Sequence, residues 1–359
     1  MGWHVDAITL DLLLPVGISF YTFQTLSYTI DVYRRQMPAT RDPLAFFGFV
    51  SFFPQLVAGP IERASSLLPQ FERRRELDVA GAKDGLRLMA WGLVKKAVVA
   101  DGVAAAADAA FASHAELNGL ALAVGAFLFG VQIYCDFSGY SDIAIGCARL
   151  FGHELSTNFR TPYFSTSFGE FWKRWHISLS TWFRDYVYIP LGGNRGGRWM
   201  HLRNVAVVFL VSGLWHGAAW TFVAWGALHA LYYVPETFLR RRTTRRATRL
   251  ESLLKWGATL SLVMLAWIFF RAPTIGDALA YITRMVTEIG AGRPPGTQLR
   301  PLLLGVALMS VEWLSRRRAH PLDVASWPKP ARWASYYAAA AVLCALGNFG
   351  ESPFIYFQF

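Results

Sequence analysis

Charge is what this chain has least of. Only 16% of its 359 residues are Asp, Glu, Lys or Arg, against about a quarter in soluble domains. The shortage is concentrated in apolar runs of roughly 15–20 residues, separated by basic clusters, and a bilayer core is spanned by about 20 apolar residues. A soluble globular domain is excluded on that ground, and an all-α polytopic membrane protein is expected. Cysteine is nearly missing too. Cys135, Cys147 and Cys344 form no C-x-x-C pair and lie in or beside apolar runs. They read as small buried hydrophobes, not as disulfides or a metal site. The N-terminus has no basic region ahead of a short apolar core, so no signal peptide is expected; a first span can direct insertion by itself.

Common catalytic patterns are absent as well. There is no G-x-S-x-G elbow and no H-E-x-x-H or comparable metal spacing. None of the eight histidines is followed by an Asp five residues on. "GGNRGG" (192–197) fits neither the dinucleotide nor the P-loop phosphate motif and is most simply a turn, with a phosphate cradle as the alternative. Acidic residues are outnumbered 24 to 35, leaving a net charge of +11. Nucleic acid is not the implied partner. The clusters "RRRTTRRATR" (240–249) and "RRR" (316–318) flank apolar spans, as in cytoplasmic loops, and no nucleic-acid motif accompanies them.

What is present is a series of membrane segments. Residues 12–30 form a first span. Residues 46–60 are short and end in Gly-Pro, which suits a re-entrant segment. A helical pattern covers 85–107, with Lys95 and Lys96 expected to reach an interface by snorkelling. Residues 119–137 are a clear span, 138–203 the longest polar stretch, and further spans fall near 254–270, 300–314 and 332–349. Between them, 204–234 has no charged side chain and is too long for one ordinary crossing. Two short crossings would put both flanking arginine-rich stretches on one side, as the positive-inside rule favours. The turn then falls near His216, where the membrane must be thin. No internal repeat is visible, and 1–359 reads as one domain.

Residues 169–191, "GEFWKRWHISLSTWFRDYVYIPL", place Lys173, His176, Ser180 and Arg184 on one stripe of a helix, with Trp172, Trp175, Leu179, Trp182, Phe183 and Tyr186 opposite. Such a helix can lie on the membrane surface, or its stripe can face a cavity that admits a charged substrate. His216, in "VSGLWHGAAW", has two readings as well: a structural imidazole bonded to a carbonyl, or an intramembrane functional group. Trp215 would give it a wall, and Gly217 would leave room for a substrate. A neutral imidazole there could act as a general base on a hydroxyl. Asp136 and Asp142 read either as polar residues at a membrane boundary or as catalytic carboxylates, and His229 as interfacial.

Several stretches in this order carry a resemblance: "FFPQLVAGPIERASSLLPQF" (52–71), "YCDFSGYSDIAIGCARLFG" (134–152), "NFRTPYFSTSFGEFWKRWHISLSTWFRDYVYIPLGGNRGG" (158–197), "SGLWHGAAWTFVAWGALHA" (212–230) and "FIYFQF" (354–359). Together they resemble the membrane-bound O-acyltransferase family, in its alginate O-acetyltransferase branch, which is related to teichoic acid D-alanyl transferases. The resemblance implies a ring of transmembrane and re-entrant helices around a thin, tunnelled centre. It implies His216 as the essential histidine and His176 as a second one at the cytoplasmic side. It further implies an inner-membrane, multi-pass enzyme that binds no cofactor of its own. That enzyme would move an acetyl group from acetyl-CoA or another cytoplasmic acyl thioester to hydroxyls of an exopolysaccharide, directly or through periplasmic partner proteins. Lys173, Ser180 and Arg184 would then meet the donor, and Trp215 and Gly217 would shape the pocket. Family members open with further spans upstream, so N-terminal spans are expected to be lacking here. Transfer of D-alanine from a carrier protein is the alternative of the same fold; an acyl transporter or scaffold without chemistry is the alternative of another class.

Overall fold

The computed structural model describes residues 17–76, 78–239, 248–290, 299–350 and 354–355. His4, the start of the first expected span, most of the 240–249 cluster and most of the C-terminal "FIYFQF" lie outside the described residues. Among the described residues the chain is helical throughout, with no strand.

The helices follow the apolar runs. They are α1 (Ile18–Tyr33), α2 (Pro43–Val50), α3 (Phe53–Leu56), α4 (Ala64–Glu72), α5 (Val79–Leu93) and, after a π-helical stretch (Val94–Ala100), α6 (Asp101–Ala112). Next come α7 (Gly119–Leu150), α8 (Phe168–Trp172), α9 (Ile177–Phe183), α10 (Gly197–His216) and α11 (Trp220–Leu239). The chain continues with α12 (Arg249–Arg271), α13 (Ile275–Thr287), α14 (Leu299–Ser315) and α15 (Lys329–Leu346). Among the described helices, α7 and α12 are long and apolar enough to cross a membrane. The 46–60 segment consists of two short helices, α2 and α3, neither of which reaches across a bilayer core.

Helix α7 is the hub. It runs through "CDFSGYSD", where the sequence pattern ends the span, and packs antiparallel on α5. Glycines allow the close approach. A Cβ at Gly85 would stand 2.5 Å from the Gly146 carbonyl oxygen, and one at Gly92 would stand 2.6 Å from that of Gly139. Small residues at such contacts bring backbones together so that dispersion and backbone dipoles act at short range.

The lysines do not snorkel. Lys95 is 3% exposed and pairs with Asp142 at 2.6 Å, while its ammonium also donates to Ser138 at 2.9 Å. Lys96 pairs with Asp136 at 2.7 Å and Asp101 at 2.9 Å. A charged group among apolar helices is tolerated only when paired, and α7 supplies Asp136 and Asp142. These carboxylates are therefore partners within the bundle, not boundary groups. Asp136 also accepts the Ile355 backbone N–H at 2.6 Å, which ties the C-terminal segment to the core.

Amphipathic α13 is an element the sequence reading does not include. Its Tyr281 hydroxyl donates to the Leu122 carbonyl at 2.7 Å, docking the helix on α7.

Candidate active site

The 31-residue run folds as two helices, α10 and α11, with the break at Gly217–Ala219. They cross closely: a Cβ on Gly213 would stand 2.4 Å from the Phe222 carbonyl oxygen, and one on Gly226 would stand 2.3 Å from that of Phe209. His216 ends α10. It is half-buried, and its ring lies against Trp215 (4.7 Å between centroids), Trp225 (5.2 Å) and Phe270 (5.3 Å). The turn beyond it reaches the protein surface, where Trp220 is exposed. Trp215 turns toward α1, edge-on to Phe20 and Phe23. The space above Gly217 is occupied: a Cβ there would meet the Phe222 ring at 2.3 Å. The room that glycine leaves is thus used for packing, not for an open approach.

Residues 169–191 do not make one helix. α8 stops at Trp172, and α9 starts after His176, which adopts a left-handed backbone (φ 42°, ψ 55°). The loop carrying Asn158 and Arg160 causes the break. It takes over the backbone groups that a continuous helix would use: the Arg160 N–H donates to the Arg174 carbonyl, and the Ile177 N–H to the Asn158 carbonyl, each at 2.9 Å. His176 consequently leaves the stripe and turns inward, 1% exposed. Its Nδ1 lies 3.2 Å from Asn158 Oδ1, which also accepts from the Ser178 hydroxyl at 3.0 Å. An oxygen acceptor at Nδ1 places the ring proton there and leaves Nε2 as the lone-pair nitrogen. That Nε2 has no hydrogen-bond partner among the described residues.

Lys173, Ser180 and Arg184 stay together and line a cavity of about 1060 Å³. Its lining follows α10 from His201 through Val205 and Phe209 to Ser212, a length of about 16 Å along the helix at the helical rise. Ser212 is one turn from His216 on the same face of the helix. Trp172 and Phe209 form its inner wall. The opposite end is polar, with Arg184, Tyr188 and Asn194. The Asp185 carboxylate bonded to the Arg184 guanidinium holds it charged above the ordinary arginine range. The "GGNRGG" stretch is a turn, with Gly192, Gly193 and Gly197 at positive φ, and Asn204 Nδ2 fastens it by donating to the Gly193 carbonyl at 2.8 Å. His216, His176, Trp215 and Gly217 are not among the cavity-lining residues.

Comparison with known proteins decides the family. A model described as the membrane-bound O-acyltransferase family matches residues 31–272, which include α10, α11 and the His176 turn. The chain belongs to this family. It is 42% identical over 327 residues to the Pseudomonas aeruginosa protein named "Probable alginate O-acetylase AlgI", covering 89% of this chain and 62% of that one. A protein of the same name from Azotobacter vinelandii is 39% identical, with 97% and 76% covered. The "Peptidoglycan O-acetyltransferase" of Helicobacter pylori is 37% identical, with 79% and 59% covered. The chain thus spans about three-fifths to three-quarters of the length of these relatives.

In this member of the family, two polar residues near the site escape the sequence reading. Asn158 is fully buried and holds His176, yet it sits in a loop without periodicity that marks no role. His229 is not interfacial: it falls in the middle of α11, is fully buried, and its Nδ1 accepts the Trp172 indole N–H at 3.3 Å. The position of the α10–α11 break, once known, is the signal that would have placed it inside.

Proposed function

We propose that this chain is a multi-pass enzyme of the inner membrane, with its helices ringed around a thin, tunnelled centre. It moves an acetyl group from a cytoplasmic thioester such as acetyl-CoA to hydroxyls of an exopolysaccharide, directly or through periplasmic partner proteins. The reading is carried by one observation: the cavity descends from the Lys173–Arg184 rim along α10 and stops one turn short of His216. Its polar end suits a phosphate-bearing donor, and the stretch lined by Val205, Val208 and Phe209 suits an acyl group. The names of the relatives, which are O-acetylases and an O-acetyltransferase, support the acetyl group and a polymeric acceptor.

In this mechanism His216 takes the proton of the acceptor hydroxyl as its oxygen attacks the thioester carbonyl. The C–S bond breaks, the proton passes to the leaving thiolate, and an ester and a free thiol result. His176, fixed by Asn158 and lying behind the cavity wall, acts as a positioning residue on the donor side. Trp215 holds the His216 ring from the α1 side, and Gly217 admits the Phe222 ring beside it. Ser180 hydrogen-bonds the donor near Lys173.

Membranes carrying the full chain, labelled acetyl-CoA and the host polysaccharide test the reading. Label should enter the polymer, and His216→Ala at equal protein level should lower the rate by roughly 10²–10⁴-fold, the range for loss of a general base. Unchanged transfer in that variant would remove His216 from the chemistry.

A further inference from the structure

A second concavity, sharing no lining residue with the first cavity, lies between α5 and α15, with a volume of about 510 Å³. Helix α15 buries none of its residues. It is tied to the bundle at its middle and just past its C-terminal end. The Asn348 N–H donates to the Ala97 carbonyl at 2.8 Å, and Arg87 Nε donates to the Tyr336 hydroxyl at 2.7 Å. Between these ties runs an apolar lane lined by Leu86, Ala90, Ala340 and Leu343. At one end of the lane stand Lys83, Arg87 and Arg332. Trp333 and Tyr336 flank them, residue types that favour the headgroup level.

The charge at that end is not cancelled. Asp84, the nearby carboxylate, is taken up by Arg149 at 2.6 Å and His320 at 3.2 Å, and lies 3.9 Å from Arg87. Lys83 and Arg332 make no ion pair among the described residues. The Arg149 contact also sets this end at the C-terminus of α7, and α14 delivers Arg316–Arg318 nearby in sequence. It is the arginine-rich side of the molecule, which faces the anionic leaflet under the positive-inside rule.

We propose that this groove binds one anionic diacyl phospholipid, with its phosphate on Lys83, Arg87 and Arg332 and an acyl chain in the lane between α5 and α15. A cationic end and an apolar lane match the two ends of such a lipid. The lane is open along its length, as a chain entering sideways from the bilayer requires. The lipid would fill the concavity between α15 and α5, acting as part of the packing.

The test uses the full chain, purified and stripped of lipid in detergent. Phosphatidylglycerol, phosphatidylcholine and soluble glycerol phosphate are titrated while the melting temperature is followed. Phosphatidylglycerol should raise it saturably, and the other two should not. The pair Lys83→Ala with Arg332→Ala should weaken phosphatidylglycerol binding by roughly thirtyfold, as loss of two interfacial cations predicts. Ala340→Trp, at an exposed position, keeps the cations and fills the lane, and should also abolish the shift. Equal stabilisation by phosphatidylcholine, an equal shift from glycerol phosphate, or unaltered phosphatidylglycerol affinity in both variants would each overturn the proposal.

Discussion

Asn158 shows how much one side chain can organise. Its carbonyl oxygen meets His176 Nδ1 and accepts from Ser178, and its Nδ2 donates to Ser141 at 3.2 Å. His176 meanwhile holds a left-handed φ that a non-glycine residue adopts at a cost of order 1–3 kcal/mol. Under the proposed function, this strained, inward-facing histidine with its anchored Nδ1 positions the site. Asn158→Ala should therefore lower kcat by roughly 10- to 100-fold, the scale of a small misplacement of a reacting group, with the KM for donor changed less. Asn158→Asp keeps the oxygen acceptor and should recover part of the loss. A kcat–KM split measured for both variants checks this; equal loss in the two would reduce Asn158 to a folding role.

At the scale of elements, close helix contacts decide the architecture. Gly85 and Gly92 on α5 meet Gly146 and Gly139 on α7, each pair seven residues apart. Gly146→Val would force the backbones apart and should lower stability by about 1–3 kcal/mol, the usual effect of overpacking, read as a fall in melting temperature. The spans of α7 and α12 were legible, because apolar runs of sufficient length declare a membrane helix. The division of 204–234 into two helices was legible from length and charge placement. The break in 169–191 was not. An isolated amphipathic pattern predicts one helix, and the groups that interrupt it, Asn158 and Arg160, come from a loop whose approach no local pattern encodes. The lysines were misplaced for the same reason: a charge in an apolar run reads as snorkelling until its carboxylates on another helix are known. Of the candidate site residues, Lys173, Ser180 and Arg184 were grouped correctly even though their shared helix was not, since short breaks leave neighbours near one another.

On the scale of the whole molecule, the paired charges between α7 and the π-helical stretch connect the core to the C-terminal segment. Asp136 is bonded at once to Lys96 and to the Ile355 N–H. Lys96→Met leaves Asp136 buried without its cation and should destabilise the protein by about 3–5 kcal/mol. Adding Asp136→Leu should return part of that loss while leaving the Ile355 N–H without its acceptor. Thermal unfolding of the single and double variants, compared with proteolysis of the C-terminal segment, separates the two effects; a double variant no more stable than the single one would argue against charge pairing as the cause.

The aromatic box around His216 also has an electrical side. A bilayer that stores an ion gradient is discharged by any continuous aqueous path, and one elementary charge crossing it dissipates about 2.3 kcal/mol per 100 mV. The cavity lining ends at Ser212, and beyond it Trp225, Trp267 and Phe270 close against one another with ring centroids 5.3–6.0 Å apart. Three closed aromatic rings offer an ion little to replace its hydration shell, so in the proposed membrane setting the recess need not become a leak.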